Sequence, residues 1–272
     1  MPEGPEIRRA ADKIAKVLEG KAIDRIEFAF AHLKPFEAEL QSREVINLET
    51  RGKALLTHFD NGLSIYSHNQ LYGRWYVVKQ GKSPATSRSL RLALHTATHS
   101  ALLYSASDID VLDADGIAQH PFLSRIGPDI LSPTLTWREI AARLASAKFR
   151  KRSVGILYLD QAFLAGVGNY LRSEILFDAN INPRARPCDL EKKQLNDLAR
   201  STLKISQQAY TTGGITNALS LVEKLKRQGL RRGQYRHTVF SRENQACHTC
   251  GETILKEAIS SRRLYWCPLC QY

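Results

Sequence analysis

Four cysteines spaced as Cys247-x2-Cys250-x16-Cys267-x2-Cys270 limit what this chain can fold into more than any other feature. Each close pair can set two thiolates on one tight turn, and the spacer is long enough for a β-hairpin that brings the pairs together. Four thiolates at tetrahedral positions suit one structural zinc ion, with a redox-active dithiol as the alternative. A four-sulfur site has no open coordination position, so a metal there holds shape and the chemistry belongs to other residues. His248, inside the first knuckle, reads as solvent-facing. The fifth cysteine, Cys188, lies far from the others and is assigned no role. Thiols gathered at one end fit a reducing compartment better than a disulfide framework.

The charge is the second constraint. Thirty-nine Lys and Arg against 27 Asp and Glu leave a net charge of +12. Such an excess favours a polyanionic partner, either nucleic acid or an anionic membrane surface. The membrane loses ground, because no apolar stretch approaches the roughly 18 residues of a spanning helix. The N-terminus also lacks the basic-then-apolar pattern of a secretion signal. A cytoplasmic, soluble protein is expected. Its 272 residues and 43% hydrophobic content allow one large domain or two smaller ones.

Periodicity divides the chain. From Pro5 to Gly20, Ile7, Ala11, Ile14 and Leu18 recur at helical spacing. Between about residues 22 and 107 the period becomes two, as in Leu90-Arg91-Leu92-Ala93-Leu94, and Asp60-Asn61-Gly62 marks a hairpin turn. This stretch reads as a sandwich or barrel. After Pro121 helical spacing returns. Thr136 and Glu139 have capping-box spacing, and Asp189 to Leu203 is a further helix. A run of strands followed by a run of helices indicates an α+β, multidomain chain. The divisions are drawn at 1–120 for the helix and β-rich domain, 121–135 for a linker, 136–237 for a helical domain and 238–272 for the four-cysteine hairpin.

Behind Met1 the chain reads Pro2-Glu3-Gly4-Pro5-Glu6. A small second residue favours removal of Met1, which would leave Pro2 as a secondary amine beside a carboxylate. Such an amine can attack an electrophilic sugar carbon and form an iminium. The plainer reading is a helix start, with Glu3 and Glu6 in a first turn where the helix dipole favours acids. Between the knuckles, Ser260-Ser261-Arg262-Arg263-Leu264-Tyr265-Trp266 offers guanidiniums for phosphates and rings that pack the module. A solvated basic turn would look the same. Lys224, Lys226, Arg227, Arg231, Arg232, Arg236 and His237 form a denser basic run, either a nucleic-acid track or a disordered connector.

Taken together, Pro2-Glu3-Gly4-Pro5-Glu6, Arg51-Gly52-Lys53-Ala54-Leu55-Leu56, Ser67-His68-Asn69-Gln70-Leu71-Tyr72-Gly73, His120-Pro121-Phe122-Leu123, Gly127-Pro128-Asp129 and the run from Leu159 to Arg172 resemble the formamidopyrimidine-DNA glycosylase and endonuclease VIII family. The match covers nearly the whole chain and lies nearest the endonuclease VIII branch. It implies an N-terminal helix plus β-sandwich, then a C-terminal helical domain with a helix-two-turns-helix motif and a zinc-finger β-hairpin. It also implies a bifunctional DNA glycosylase/AP lyase of base excision repair, here expected to act on oxidised pyrimidines and to cut the strand by β,δ-elimination. Under the resemblance Pro2 attacks C1′, Glu3 moves protons and Lys53 assists base loss or elimination. Arg262 sits against the phosphates flanking the lesion. A base must leave the stack to be cut, and Gln70, Leu71 and Tyr72 suit the space it vacates. Arg125, Asn169 and Arg172 are the further DNA-binding candidates, with Gly166-Val167-Gly168-Asn169 able to offer backbone N–H groups to a phosphate. Zinc on Cys247, Cys250, Cys267 and Cys270, double-stranded DNA with oxidised bases or abasic sites as partner, no membrane and a monomeric state complete the reading. The alternatives are an oxidised-purine glycosylase and a non-catalytic damaged-DNA-binding protein.

Overall fold

In the computed structural model, which describes residues 2–272, the chain divides into two compact units. Pro2 and Glu6–Arg125 form the first. Glu3–Pro5 and Ile126–Tyr272 form the second.

The first unit is a sandwich of two antiparallel sheets with a helix against it. Helix α1 (Gly4–Leu18) buries Ile7, Ala11, Ile14 and Leu18, the stripe expected from their spacing. Burying each of the three larger side chains contributes about 2 kcal/mol. Five strands lie in the order β1 (Lys21–Ala22), β3 (Glu44–Arg51), β4 (Ala54–Phe59), β5 (Ser64–His68) and β9 (Asp108–Leu112). Four more follow the order β2 (Arg25–Phe28), β7 (Leu90–His95), β8 (His99–Tyr104) and β6 (Arg74–Lys79). Both sheets feed one core with α1, including Val45, Leu55, Phe59, Ile65, Leu92, Leu94 and Leu103. Strand β4 is central and buried along most of its length, so its alternation is masked by an almost continuous apolar run. Short helices α2 (Phe36–Leu40) and α3 (Ala114–Gln119) complete the unit.

The second unit is helical, with one hairpin. Helix α4 (Trp137–Ala145) carries the capping box read from sequence: Glu139 N–H donates to Thr136 Oγ1 at 3.3 Å, and Thr136 N–H donates to Glu139 Oε2 at 2.7 Å. A short α5 (Val154–Leu157), two turns and α6 (Asn169–Asp178) follow, giving the helix-two-turns-helix motif. Helix α7 spans Lys192–Thr212. It starts after Glu191, whose N–H donates to Gln194 Oε1 at 2.9 Å, and not at Asp189, which belongs to a preceding 3-10 turn, and it runs nine residues beyond Leu203. Its buried face of Leu198, Thr202, Ile205 and Ala209 keeps the 3.6 period to the end. Helices α8 (Leu219–Arg227) and α9 (Arg232–Tyr235) precede the hairpin of β10 (Leu255–Ile259) and β11 (Arg262–Trp266). Leu264 and Trp266 join the helical core, whereas Tyr265, on the opposite face of the same strand, packs with Val239, Ile254 and three of the cysteines.

Candidate functional site

Glu3 is only 2% exposed. Its Oε2 accepts the Gly168 N–H at 2.7 Å and the Leu171 N–H at 3.2 Å, while Oε1 accepts the Tyr170 N–H at 2.9 Å. The carboxylate therefore caps α6, whose first amides have no partners within the helix and whose dipole favours an anion. Of the amides from Gly166 to Asn169 that the sequence offers to a phosphate, that of Gly168 is taken by Glu3 and that of Gly166 donates to Gln161 Oε1 at 3.0 Å. A Cβ at position 168 would stand 2.3 Å from Glu3 Cδ and push the carboxylate from this place, so glycine preserves the contact. The neighbouring Gly4 N–H donates to Gly166 O at 2.8 Å and fastens the same stretch of chain. Pro2, half-buried, directly precedes these anchored residues. Met1, whose removal was expected, lies outside the described residues. Asn169 opens α6 with a partly exposed side chain, and its carbonyl accepts the Ser173 hydroxyl at 3.0 Å.

Arg172, one turn into α6, is fully buried and cannot reach DNA as the sequence reading expected. Its Nη1 donates to Gly155 O at 2.7 Å, and Nη2 to the carbonyls of Arg263 at 3.0 Å and Arg262 at 3.4 Å. Burial pulls its guanidinium down to about 10, with Glu3 opposing that fall and Arg262 adding to it, so it stays charged at neutral pH. Arg172 thus ties α6 to the first residues of β11. The turn before β11 holds Ser260 at φ 51° and Ser261 at φ 59°, a left-handed pair that hairpins favour but serine resists. Arg262 follows, exposed, on the strand face that it shares with Leu264 and Trp266; Arg263 takes the other face.

The four cysteine sulfurs lie within 4.8 Å of one another, with Cys247 to Cys270 at 3.9 Å and Cys250 to Cys267 at 3.4 Å. Metal–sulfur bonds of about 2.3 Å in a tetrahedron require sulfurs about 3.8 Å apart. The cluster fits a metal ion. Its surroundings are built for rigidity: Gln271, 1% exposed, accepts the Cys267 N–H at 2.9 Å and donates to Ile181 O at 3.0 Å.

In the first unit, Lys53 sits half-buried in the two-residue turn between β3 and β4. Ala54, next to it, pairs with His68, and His68 pairs with Asp108 on the other side. Gln70, Leu71 and Tyr72 form the tip of the loop after β5, with Leu71 54% and Tyr72 69% exposed. The loop closes tightly. Gly73 N–H donates to Asn69 O at 2.7 Å, and a Cβ on Gly73 would meet Asn69 backbone atoms at 2.6 Å. Two residues that sequence reasoning passed over support it: Ser107 Oγ donates to Gln70 Oε1 at 2.7 Å, and Arg88 donates to Tyr72 O. Arg125 is exposed, its Nε donating to Pro121 O at 2.6 Å.

The basic stretch is ordered, not a loose connector. Val222 and Leu225 bury one side of α8, and Lys224, Lys226 and Arg227 face outward. Arg236 donates to Gly214 O at 2.6 Å and lies 5.4 Å from the Tyr170 ring centroid. His237, counted from sequence among the cations, is 7% exposed. Behind it lies Glu174 on α6, which the sequence reading did not mark. Glu174 accepts the N–H groups of Thr238, Val239 and Phe240, each at 2.8 Å, and the Thr216 hydroxyl at 2.6 Å. No sequence pattern marks such a residue.

Comparison with known proteins adds the family context. Residues 1–107 match the formamidopyrimidine-DNA glycosylase N-terminal domain and residues 126–220 match the formamidopyrimidine-DNA glycosylase H2TH domain. The proteins named Endonuclease 8 from Salmonella arizonae and Salmonella schwarzengrund are each 51% identical over 271 residues, covering 100% of both chains. Lactococcus lactis formamidopyrimidine-DNA glycosylase, solved non-covalently bound to DNA containing an AP site, superposes with a TM-score of 0.80 at 21% identity over 99% of each chain.

Proposed function

Because the chain belongs to the formamidopyrimidine-DNA glycosylase and endonuclease 8 family, we propose that it excises oxidised pyrimidines from duplex DNA and then cuts the strand. It is a base-excision glycosylase with abasic-site lyase activity. The observation that carries the residue-level reading is the fixed carboxylate of Glu3, held by three amides of α6 directly beside Pro2. With Met1 removed, the Pro2 nitrogen attacks C1′ with its lone pair, the base departs with the glycosidic electron pair, and the opened sugar is held as an iminium. Glu3 donates and accepts protons during ring opening and elimination, which requires only hydrogen-bond reach.

Loss of a C2′ proton to a base expels the 3′ phosphate, and a second elimination expels the 5′ phosphate. Lys53, presented from a tight turn, serves as the cation or acid in these steps. Arg262, on a hairpin that Arg172 locks in place, holds the flanking phosphates. Gln70, Leu71 and Tyr72 fill the gap left by the extruded nucleotide, and Arg125 and Asn169 hold the backbone. The four-cysteine cluster holds zinc, which supplies rigidity to the β10–β11 hairpin. With no helix of the described residues long and apolar enough to cross a membrane, the proposed place of work is the cytoplasm, on DNA.

The test is borohydride trapping on duplexes carrying thymine glycol or an abasic site. A covalent adduct mapping to Pro2 is expected, with Pro2→Gly trapping poorly. An adduct that persists in Pro2→Gly and maps to Lys53 would move the nucleophile. A parallel panel with 8-oxoguanine duplexes separates pyrimidine from purine preference, and metal analysis of the same preparation should find one zinc per chain.

A further inference from the structure

We propose that His68 is the positioning residue of the Gln70–Tyr72 wedge, its Nδ1 accepting the Gln70 backbone N–H and so setting the turn that presents Leu71 and Tyr72. The inference rests on the functional reading above. That hydrogen bond measures 3.1 Å. Gln70 itself is held at φ 47°, a left-handed conformation that a residue with a Cβ adopts at a modest cost. One hydrogen bond offsets a cost of that size. The tip is too exposed to orient itself by packing, so its direction has to be set from its base.

The base is rigid. His68 ends a strand paired on both sides, with Ala54 and with Asp108, and its ring meets Phe122 edge-on at 5.4 Å between centroids. An accepting Nδ1 places the proton on Nε2 and requires the neutral ring. Asp108 on β9 and Lys53 on the β3–β4 turn are the charged groups acting on it. Burial, the larger effect, and Lys53 hold its protonation below the ordinary histidine range against the pull of Asp108, which keeps the acceptor available at neutral pH. A side-chain acceptor receiving the N–H two residues ahead is also the geometry of an Asx turn, so asparagine is the conservative substitute.

Two substrates separate positioning from chemistry. A duplex bearing thymine glycol needs the wedge, whereas a single strand bearing a preformed abasic site has no stack to fill. His68→Leu is expected to slow single-turnover excision from the duplex roughly three- to tenfold, the weight of one hydrogen bond, with single-strand trapping changed by less than about twofold. His68→Asn should recover most of the loss. Ser107→Ala, at an exposed position that leaves folding intact, should give a smaller loss of the same kind. Equal losses on both substrates would assign His68 to Lys53 or to the fold and overturn the proposal, as would duplex excision unchanged in His68→Leu. Failure of the unsubstituted protein to trap either substrate would instead sink the functional reading, and this inference with it.

Discussion

Glu3 and Glu174 are both buried carboxylates that bind the backbone amides of a distant segment, and both act through α6. Glu3 caps the N-terminus of that helix from outside it. Glu174 projects from the helix and gathers three consecutive amides of residues 238–240, together with the Thr216 hydroxyl. Exposures of 2% and 1% do not separate them, and neither does the chemistry of their partners. What differs is the neighbour in the chain: Glu3 follows Pro2, while Glu174 lies between Ser173 and Ile175 in the middle of a helix. Burial and donor count describe how firmly a carboxylate is held; whether it reacts depends on what it is held against.

The largest expected effect tests that distinction directly. Glu3→Gln keeps the size of the side chain but cannot shuttle protons, and it turns an NH2 toward amide donors. Excision and lyase rates should fall by about 10² or more, the usual weight of a positioned acid–base group. Stability should fall by only about 1–3 kcal/mol for the disturbed cap. Single-turnover kinetics beside a urea melt reads both quantities. A variant that loses stability but keeps its rate would make Glu3 the structural twin of Glu174.

Glu174→Ala should behave the other way. Four donors lose their acceptor in a site closed to water, a change that costs about 3–5 kcal/mol in comparable buried charged sites. Excision per folded molecule should hold at temperatures where the variant remains folded. If instead the rate collapses while the melting curve is unmoved, Glu174 acts on the reaction and the contrast drawn above fails.

The contrast also explains how much could be read before the structure. The α1 stripe, the Thr136–Glu139 capping box and the four-cysteine cluster were legible because each is local: neighbours in space are within one turn or one hairpin in sequence. Strand-then-helix order was legible from the change of period. Arg172 was misread because an arginine following Asn169 looks solvent-bound until the hairpin 90 residues later supplies carbonyls for it. Glu174 carries no sequence signal at all, since its partners are 42 to 66 residues away. His237 looked like one more cation in a basic run. The packing of Tyr170 and Phe240 around its ring, at centroid distances of 5.2 and 5.3 Å, belongs to the fold alone.

His237 provides the smallest and most selective test, because it sits at only one of the two carboxylates. The Thr216 hydroxyl has one hydrogen, which it donates to Glu174 at 2.6 Å, so its contact with His237 Nδ1 at 2.9 Å requires that nitrogen to be the donor. A donating Nδ1 fits either protonation state of the ring, and burial favours the neutral one. Burial pushes its protonation down to about 4, with Glu174 opposing and Arg236 and Arg232 reinforcing the shift. Above the ordinary histidine value of about 6.5, both folded and unfolded chains carry a neutral ring and the contribution to stability is complete. Below it the unfolded chain takes up a proton that the folded one refuses, so stability falls as pH falls toward 4, by about 1.4 kcal/mol per pH unit at the steepest. Urea melts at pH 7.5, 6.5 and 5.5 should show that decline, and His237→Gln should remove this component of it. A decline of unchanged slope in His237→Gln would place the acid sensitivity elsewhere. A decline abolished by the substitution, with trapping at neutral pH intact, would show that the Glu174 end of α6 responds to protons as structure alone.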